Sequence, residues 1–177
     1  MSIESIKDFL DKIAETNNEI ANHYERVAML NLAFARELEL KSSDQDRMYF
    51  IGLLHEIGKY NNEEFENIYP KISSIILKTH KGFSKIAKIV EQCEENIDGS
   101  GFPNHLTKDD IHLFAIACHI CDKYDHFRME GYDHDESIAK LRKLNDIIGP
   151  KKLVTLFVKM MFANKELKEL YEEEDNG

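Results

Sequence analysis

At 177 residues the chain is long enough for one domain with a real core, and 42% hydrophobic with 32% charged residues is a soluble, globular balance. A formal charge of −10 excludes broad electrostatic binding of nucleic acid, which draws its affinity from neutralised phosphates, but leaves room for a small phosphorylated ligand. No apolar run approaches the ~20 residues of a membrane span, and three cysteines are too few for a disulfide framework, so the expected setting is cytoplasmic and reducing.

The N-terminal MSIESIKDFLDKI is amphipathic and carries acids, unlike a secretory signal or transit peptide. Ile20, His23, Val27, Leu30 and Phe34 then step by three and four along one helical stripe. Ser43-Asp44 reads as the N-cap region of a helix carrying Met48, Ile51 and His55. Further helices are predicted over residues 62–78 and 83–95, before the one strong turn cluster, Asp98-Gly99-Ser100-Gly101-Phe102-Pro103. Thr107 and Asp110 resemble a capping box opening a long helix to about Phe127. Residues 134–145 and 151–173 read as two closing helices, followed by a solvated acidic tail, EEEDNG. With no strand-period segment and no repeat, the expected fold is an all-α, single-domain helical bundle spanning 1–177.

Polar residues interrupt the apolar stripes at three places. His23 stands where its neighbours reserve room for apolar side chains; taken alone, a hydrogen-bonded core histidine explains it better than a ligand. The run Tyr49-Phe50-Ile51-Gly52-Leu53-Leu54 ends in His55-Glu56, which alone could be a helix end. Asp122 shares a face with Ile111, Phe114 and Cys118, and a carboxylate inside is costly unless a metal or a buried Lys or Arg compensates it. Together they change the reading. Three helices each turn a metal-capable side chain inward, and two imidazoles with two carboxylates suit Mn, Fe, Zn or Mg.

The order His, then His-acid, then Asp resembles the HD superfamily of metal-dependent phosphohydrolases, and more narrowly a degenerate HD-GYP domain, the branch associated with cyclic di-GMP hydrolysis. "NHYERVAMLNLAFARELEL" resembles the first-ligand helix, "LLHEIGK" the family's "LLHDIGK", "NIDGSGFPNHLTKDDI" the "RWDGSGYPxGLxGEEI" segment, and "ACHICDKYD" the "VAVADxYD" segment. The motif-bearing core covers about residues 19–128. The resemblance implies an HD-type bundle in which His23, His55, Glu56 and Asp122 hold one divalent metal (Mn, Fe, Mg, Zn or Ni). It also implies that Lys59 steadies a phosphate and that Asp125 orients a ligand or the attacking water.

Departures from the pattern bear on function. Glu56 replaces the Asp of the HD pair, and its extra methylene moves the oxygens by roughly 1.5 Å. Tyr69, Cys93 and Glu94 stand where the HD-GYP branch places further metal-binding histidines, and Phe102 stands at the signature tyrosine. Glu19 matches an upstream acidic position of that branch. Glu19, Tyr69, Glu94, Asp98, Gly99, Gly101 and Phe102 are therefore accessory or substrate-loop positions. The implied activity is hydrolysis of a phosphomonoester or phosphodiester, of a nucleotide or cyclic dinucleotide, by one metal-activated water. The alternative is a catalytically degenerate signalling or ligand-binding module. Self-association into a homo-oligomer is compatible with either.

His112, His119 and His126 recur every seven residues and share one face. They read as a solvated or partly buried helix flank, with His119, three residues before Asp122, able to assist a metal. Cys118-His119-Ile120-Cys121 contains a lone CxxC inside an apolar stripe, for which buried thiols are the better account.

Overall fold

The apolar stripe that runs through His23 forms the spine of the molecule. In the computed structural model, which describes residues 3–59 and 67–171, it lies on α2 (Asn18–Glu37), preceded by α1 (Ile3–Thr16). Val27, Leu30 and Phe34 are buried as the spacing requires, whereas Ile20 is exposed. Around α2 pack α1, α3 (Ser42–Leu54), α6 (Leu113–Met129) and α8 (Lys151–Ala163). The remaining helices are α4 (Tyr69–Lys78), α5 (Ser84–Val90), α7 (His134–Lys143) and α9 (Lys165–Glu169). Among the described residues there is no strand, only the isolated bridges Asp98–Thr107 and Asn145–Gly149. No described helix is long and apolar enough to cross a membrane.

Two contacts fix the helices that matter most. Gly52 lets α3 lie directly on α2: a Cβ there would come within 2.5 Å of Asn31 Nδ2 and 2.8 Å of the Ala28 Cα. This close approach carries the end of α3 to the level of His23. On the other side Tyr124 of α6 meets Phe157 of α8 edge-on at 5.7 Å, and Phe157 meets Phe34 of α2 at 5.3 Å. Burying such side chains contributes roughly 1.5–3 kcal/mol each and locks the rotation of α6.

Several element boundaries differ from the sequence expectation. Part of the predicted 62–78 helix, residues 60–66, lies outside the described residues, and α4 begins at Tyr69 with Pro70 in its first turn. The predicted 83–95 helix is helical only to Val90; beyond it Gln92, Cys93 and Glu95 donate to carbonyls three residues back, a tighter winding that turns the chain. No capping box forms at Thr107. Residues Lys108–Asp110 make a single 3-10 turn, Ile111 is extended and buried, and α6 starts after it with His112 as its cap. α3 begins after Lys41, without a side-chain cap from Ser43 or Asp44. The last predicted helix breaks at Asn164, which adopts an extended conformation between α8 and α9. The acidic tail lies outside the described residues.

Candidate metal centre

His23 comes from the middle of α2, His55 and Glu56 from the turn that ends α3, and Asp122 from α6. The turn is tied down by three hydrogen bonds from two neighbouring helices. Tyr24 donates its hydroxyl to the Glu56 carbonyl at 3.4 Å, and Ser73 of α4 accepts from Gly58 N–H at 2.9 Å while donating to the His55 carbonyl at 3.2 Å. All four side chains are buried, and each offers a ligand atom within 4.8 Å of the others.

The two imidazoles are oriented alike. His55 Nδ1 donates to the Gly52 carbonyl at 2.7 Å, and His23 Nδ1 donates to Asp125 Oδ2 at 2.8 Å. Each bond fixes the tautomer and leaves Nε2 facing the cluster, the arrangement metal-binding histidines favour. His23 Nε2 lies 3.5 Å from Asp122 Oδ1 and 3.7 Å from Glu56 Oε2; His55 Nε2 lies 3.2 Å from Asp122 Oδ1 and 3.9 Å from Glu56 Oε1. Ligands at about 2.1 Å from one cation stand roughly 3.0–3.4 Å apart, so small side-chain adjustments suffice. His23 Nε2 is buried with no hydrogen-bond partner among the described residues, a cost that a cation would relieve. The donor set fits a divalent metal.

The electrostatics agree. Burial alone would push the Asp122 carboxyl up, but His126, His55 and Lys123 outweigh it and hold it well below its ordinary value. Burial likewise disfavours the His55 imidazolium, yet Cys118, Asp122 and Glu56 raise its pKa to about 10. Protons thus serve as the counter-charge that a metal would displace.

Of the other sequence-predicted residues, Asp125 lies behind the centre rather than in it. Besides His23 it accepts from Arg26 Nε at 2.8 Å, Arg26 Nη2 at 3.1 Å and the Tyr171 hydroxyl at 2.5 Å. Lys59 is drawn onto the centre itself: its ammonium is hydrogen-bonded to Glu56 Oε1 and lies over the Tyr69 ring at 4.5 Å, while its side chain stays 38% exposed. Tyr69 donates to the same Glu56 oxygen at 3.2 Å, so the longer glutamate is held by two donors while Oε2 faces His23. Glu94 belongs to a neighbouring donor group with His119 and Asp122. Phe102 meets the Tyr69 ring edge-on at 6.0 Å and brings the 98–103 loop beside the centre. In that loop Asp98 is exposed and caps Ser100, Gly99 has a positive φ of 85°, and Gly101 is buried against the Glu94–Asn96 backbone. Glu19 is exposed in the first turn of α2 and is outside the donor cluster.

Three residues were not singled out by sequence for the places they take. His126 is no mere flank: its Nε2 lies 3.3 Å from Asp122 Oδ1, and its ring 5.0 Å from that of His23. The signal was there, since His126 follows Asp122 by one helical turn. Tyr171 closes the Asp125 network from 46 residues away, which no local pattern announces. Lys123 bridges Asp122 and Glu94. Cys118 and Cys121 are buried free thiols, as expected, and so is Cys93.

The chain is 29% identical over 152 residues to a cyclic di-GMP phosphodiesterase of Pseudomonas aeruginosa, covering 73% of this chain and 36% of that protein. It is 26% identical over 156 residues to the cyclic di-GMP phosphodiesterase PdeB of Borreliella burgdorferi (77% and 41%), and 25% identical over 139 residues to a 3'3'-cGAMP-specific phosphodiesterase of Vibrio cholerae (70% and 30%). It therefore spans less than half the length of these relatives. Two solved structures share the fold. A cyclic GMP-AMP-specific phosphodiesterase of V. cholerae aligns with a TM-score of 0.72 at 15% identity, over 87% of this chain and 48% of that one. An HDG"Y"P protein from Bdellovibrio bacteriovorus aligns with 0.69 at 20%, over 79% and 51%. The family model for the HD domain matches residues 8–151, which include all four clustered donors, and the chain belongs to the HD-domain family.

Proposed function

We propose that this chain is a metal-dependent phosphohydrolase that works through one divalent metal held by His23, His55, Glu56 and Asp122, with a small nucleotide phosphodiester as substrate. The observation that carries this reading is the buried donor set itself, with both imidazoles tied at Nδ1 and turned inward at Nε2. Its rim supports a phosphate. The four donors are at most 5% exposed, whereas the side chains of Lys59 (38%), His126 (35%) and Lys123 (30%) reach solvent at its edge. Three nitrogen donors around a buried acidic cluster suit an anionic group. The names of the relatives support a cyclic dinucleotide.

When bound, the metal supplies Lewis-acid polarisation of a phosphoryl oxygen and acidification of water. The chain's own residues do the rest. Asp125 holds the His23 ring in the required tautomer, and Ser73 and Tyr24 hold the turn bearing His55 and Glu56. His126 and the two lysines place N–H groups where phosphate oxygens would lie. Hydrolysis adds the water oxygen to phosphorus, breaks one P–O ester bond and returns a proton to the leaving oxygen, a role open to His126, whose partly exposed imidazole lies 3.3 Å from Asp122 Oδ1 at the edge of the centre.

The test is incubation of the Mn-loaded chain with cyclic di-GMP, 3'3'-cGAMP and a simple phosphomonoester. Linear dinucleotide should form with Mn, and not with chelator or in His55→Ala. Binding of metal and nucleotide without turnover would overturn the hydrolase reading and assign the same site to a signalling module.

A further inference from the structure

A second group of buried donors adjoins the first. Glu94, His119 and Asp122 bring ligand atoms within 4.8 Å of one another, and all three are buried. The protonation of His119 can be read from its partners. Ser100 Oγ donates to Asp98 Oδ1 at 2.6 Å and so accepts from Asn96 Nδ2 at 2.9 Å, which fixes the Asn96 amide. Asn96 Oδ1 then accepts from His119 Nε2 at 3.1 Å, leaving a lone pair on Nδ1. That Nδ1 is buried without a hydrogen-bond partner and faces Glu94 Oε2 at 3.9 Å. Asp122 divides its oxygens between the two groups: Oδ1 faces His23, His55 and His126, while Oδ2 has no hydrogen-bond partner.

Two carboxylate oxygens and a nitrogen lone pair this close repel one another in a dry pocket unless a cation lies among them. This chain carries one. Lys123 Nζ lies 3.7 Å from Asp122 Oδ2 and 3.7 Å from Glu94 Oε2. Lys123 immediately follows Asp122 on α6, a spacing that points side chains apart, and only its long stem lets the ammonium turn back across the carboxylate.

We propose that Lys123 is a built-in cation, its ammonium taking the place of a second divalent metal among Glu94, His119 and Asp122. The chain then combines one exchangeable metal with one fixed charge, and Asp122 bridges the two. The inference rests on the mononuclear reading only for the neighbouring centre. A phosphate bound there meets an ammonium where a two-metal site would present a second ion.

Metal content separates the two claims. Wild type, Lys123→Met and Lys123→Arg are equilibrated with millimolar Mn, desalted and assayed for Mn per chain, with melting curves in Mn and in chelator. Lys123→Met should bind one more Mn than wild type, lose it on adding Glu94→Gln, and show the larger Mn-dependent rise in melting temperature. Lys123→Arg should match wild type. Folded Lys123→Met with no extra Mn would overturn the proposal. So would a wild type that binds Mn at the second group, seen as Mn lost in Glu94→Gln; this control holds even if Lys123→Met does not fold. Failure of the first centre reads differently, as no Mn lost in His55→Ala, and leaves the increment at Lys123→Met measurable.

Discussion

At the scale of single residues, the centre depends on which nitrogen of each histidine is already engaged. Asp125 accepts a hydrogen bond from His23 Nδ1–H, and Arg26 and Tyr171 secure Asp125 in turn. Asp125→Asn keeps the shape but offers one acceptor oxygen and an amide donor to a network built from donors. Mn affinity should fall about 10–100-fold, measured by titration calorimetry on the folded variant; unchanged affinity would remove Asp125 from the account. The residue types of the centre were legible because imidazoles and carboxylates on apolar stripes violate the pattern around them. Lys123 was not, because a lysine beside an aspartate on a helix ordinarily points to solvent. The surroundings of Lys59 were hidden for a related reason: the sequence shows its one-turn spacing from His55, but not that Glu56 and Tyr69 contact its ammonium.

At the scale of elements, α6 carries the most chemistry, with His119, Asp122, Lys123, Asp125 and His126 on one helix. Its start is set by His112, whose Nδ1 accepts the Phe114 N–H at 3.1 Å, a bond only the neutral ring can make at that atom. Partial burial, helped by Arg47 and opposed by Asp44, lowers the His112 pKa below its ordinary 6.5. The contribution is therefore complete above that value and is lost as pH falls through it towards the folded-state pKa. Because His112 stays accessible to solvent, the effect should not exceed the ~1 kcal/mol of a typical cap. His112→Asn caps without titrating, so urea melts from pH 7.5 to 5.5 should show wild type losing more stability than the variant; equal losses would contradict the role. The sequence announced that a long helix lies here but set its start several residues early. Thr107 and Asp110 have the right chemistry for a cap, yet burial of an extended Ile111 stops the helix from running through. Tertiary packing decided the boundary.

At the scale of the whole molecule, three helices meet at a set of donors that only folding brings together. A metal held there binds the native chain and not the unfolded one, so it must stabilise the fold. With free Mn about a hundredfold above Kd the gain is roughly 2.7 kcal/mol, or about 5–10 °C for a domain of this size. The all-helical bundle and the convergence of His23, His55, Glu56 and Asp122 could be expected from sequence, because an HD-type order of ligands demands one centre. The closing contact of Tyr171 on Asp125 could not, since it depends on where α8 and α9 lead the chain. The most direct measurement is the melting temperature of wild type and Asp122→Ala, each with chelator and with Mn. A Mn-dependent rise in wild type that disappears in Asp122→Ala is the predicted result. No rise in wild type at millimolar Mn, or an equal rise in both proteins, would contradict a metal held by these four residues.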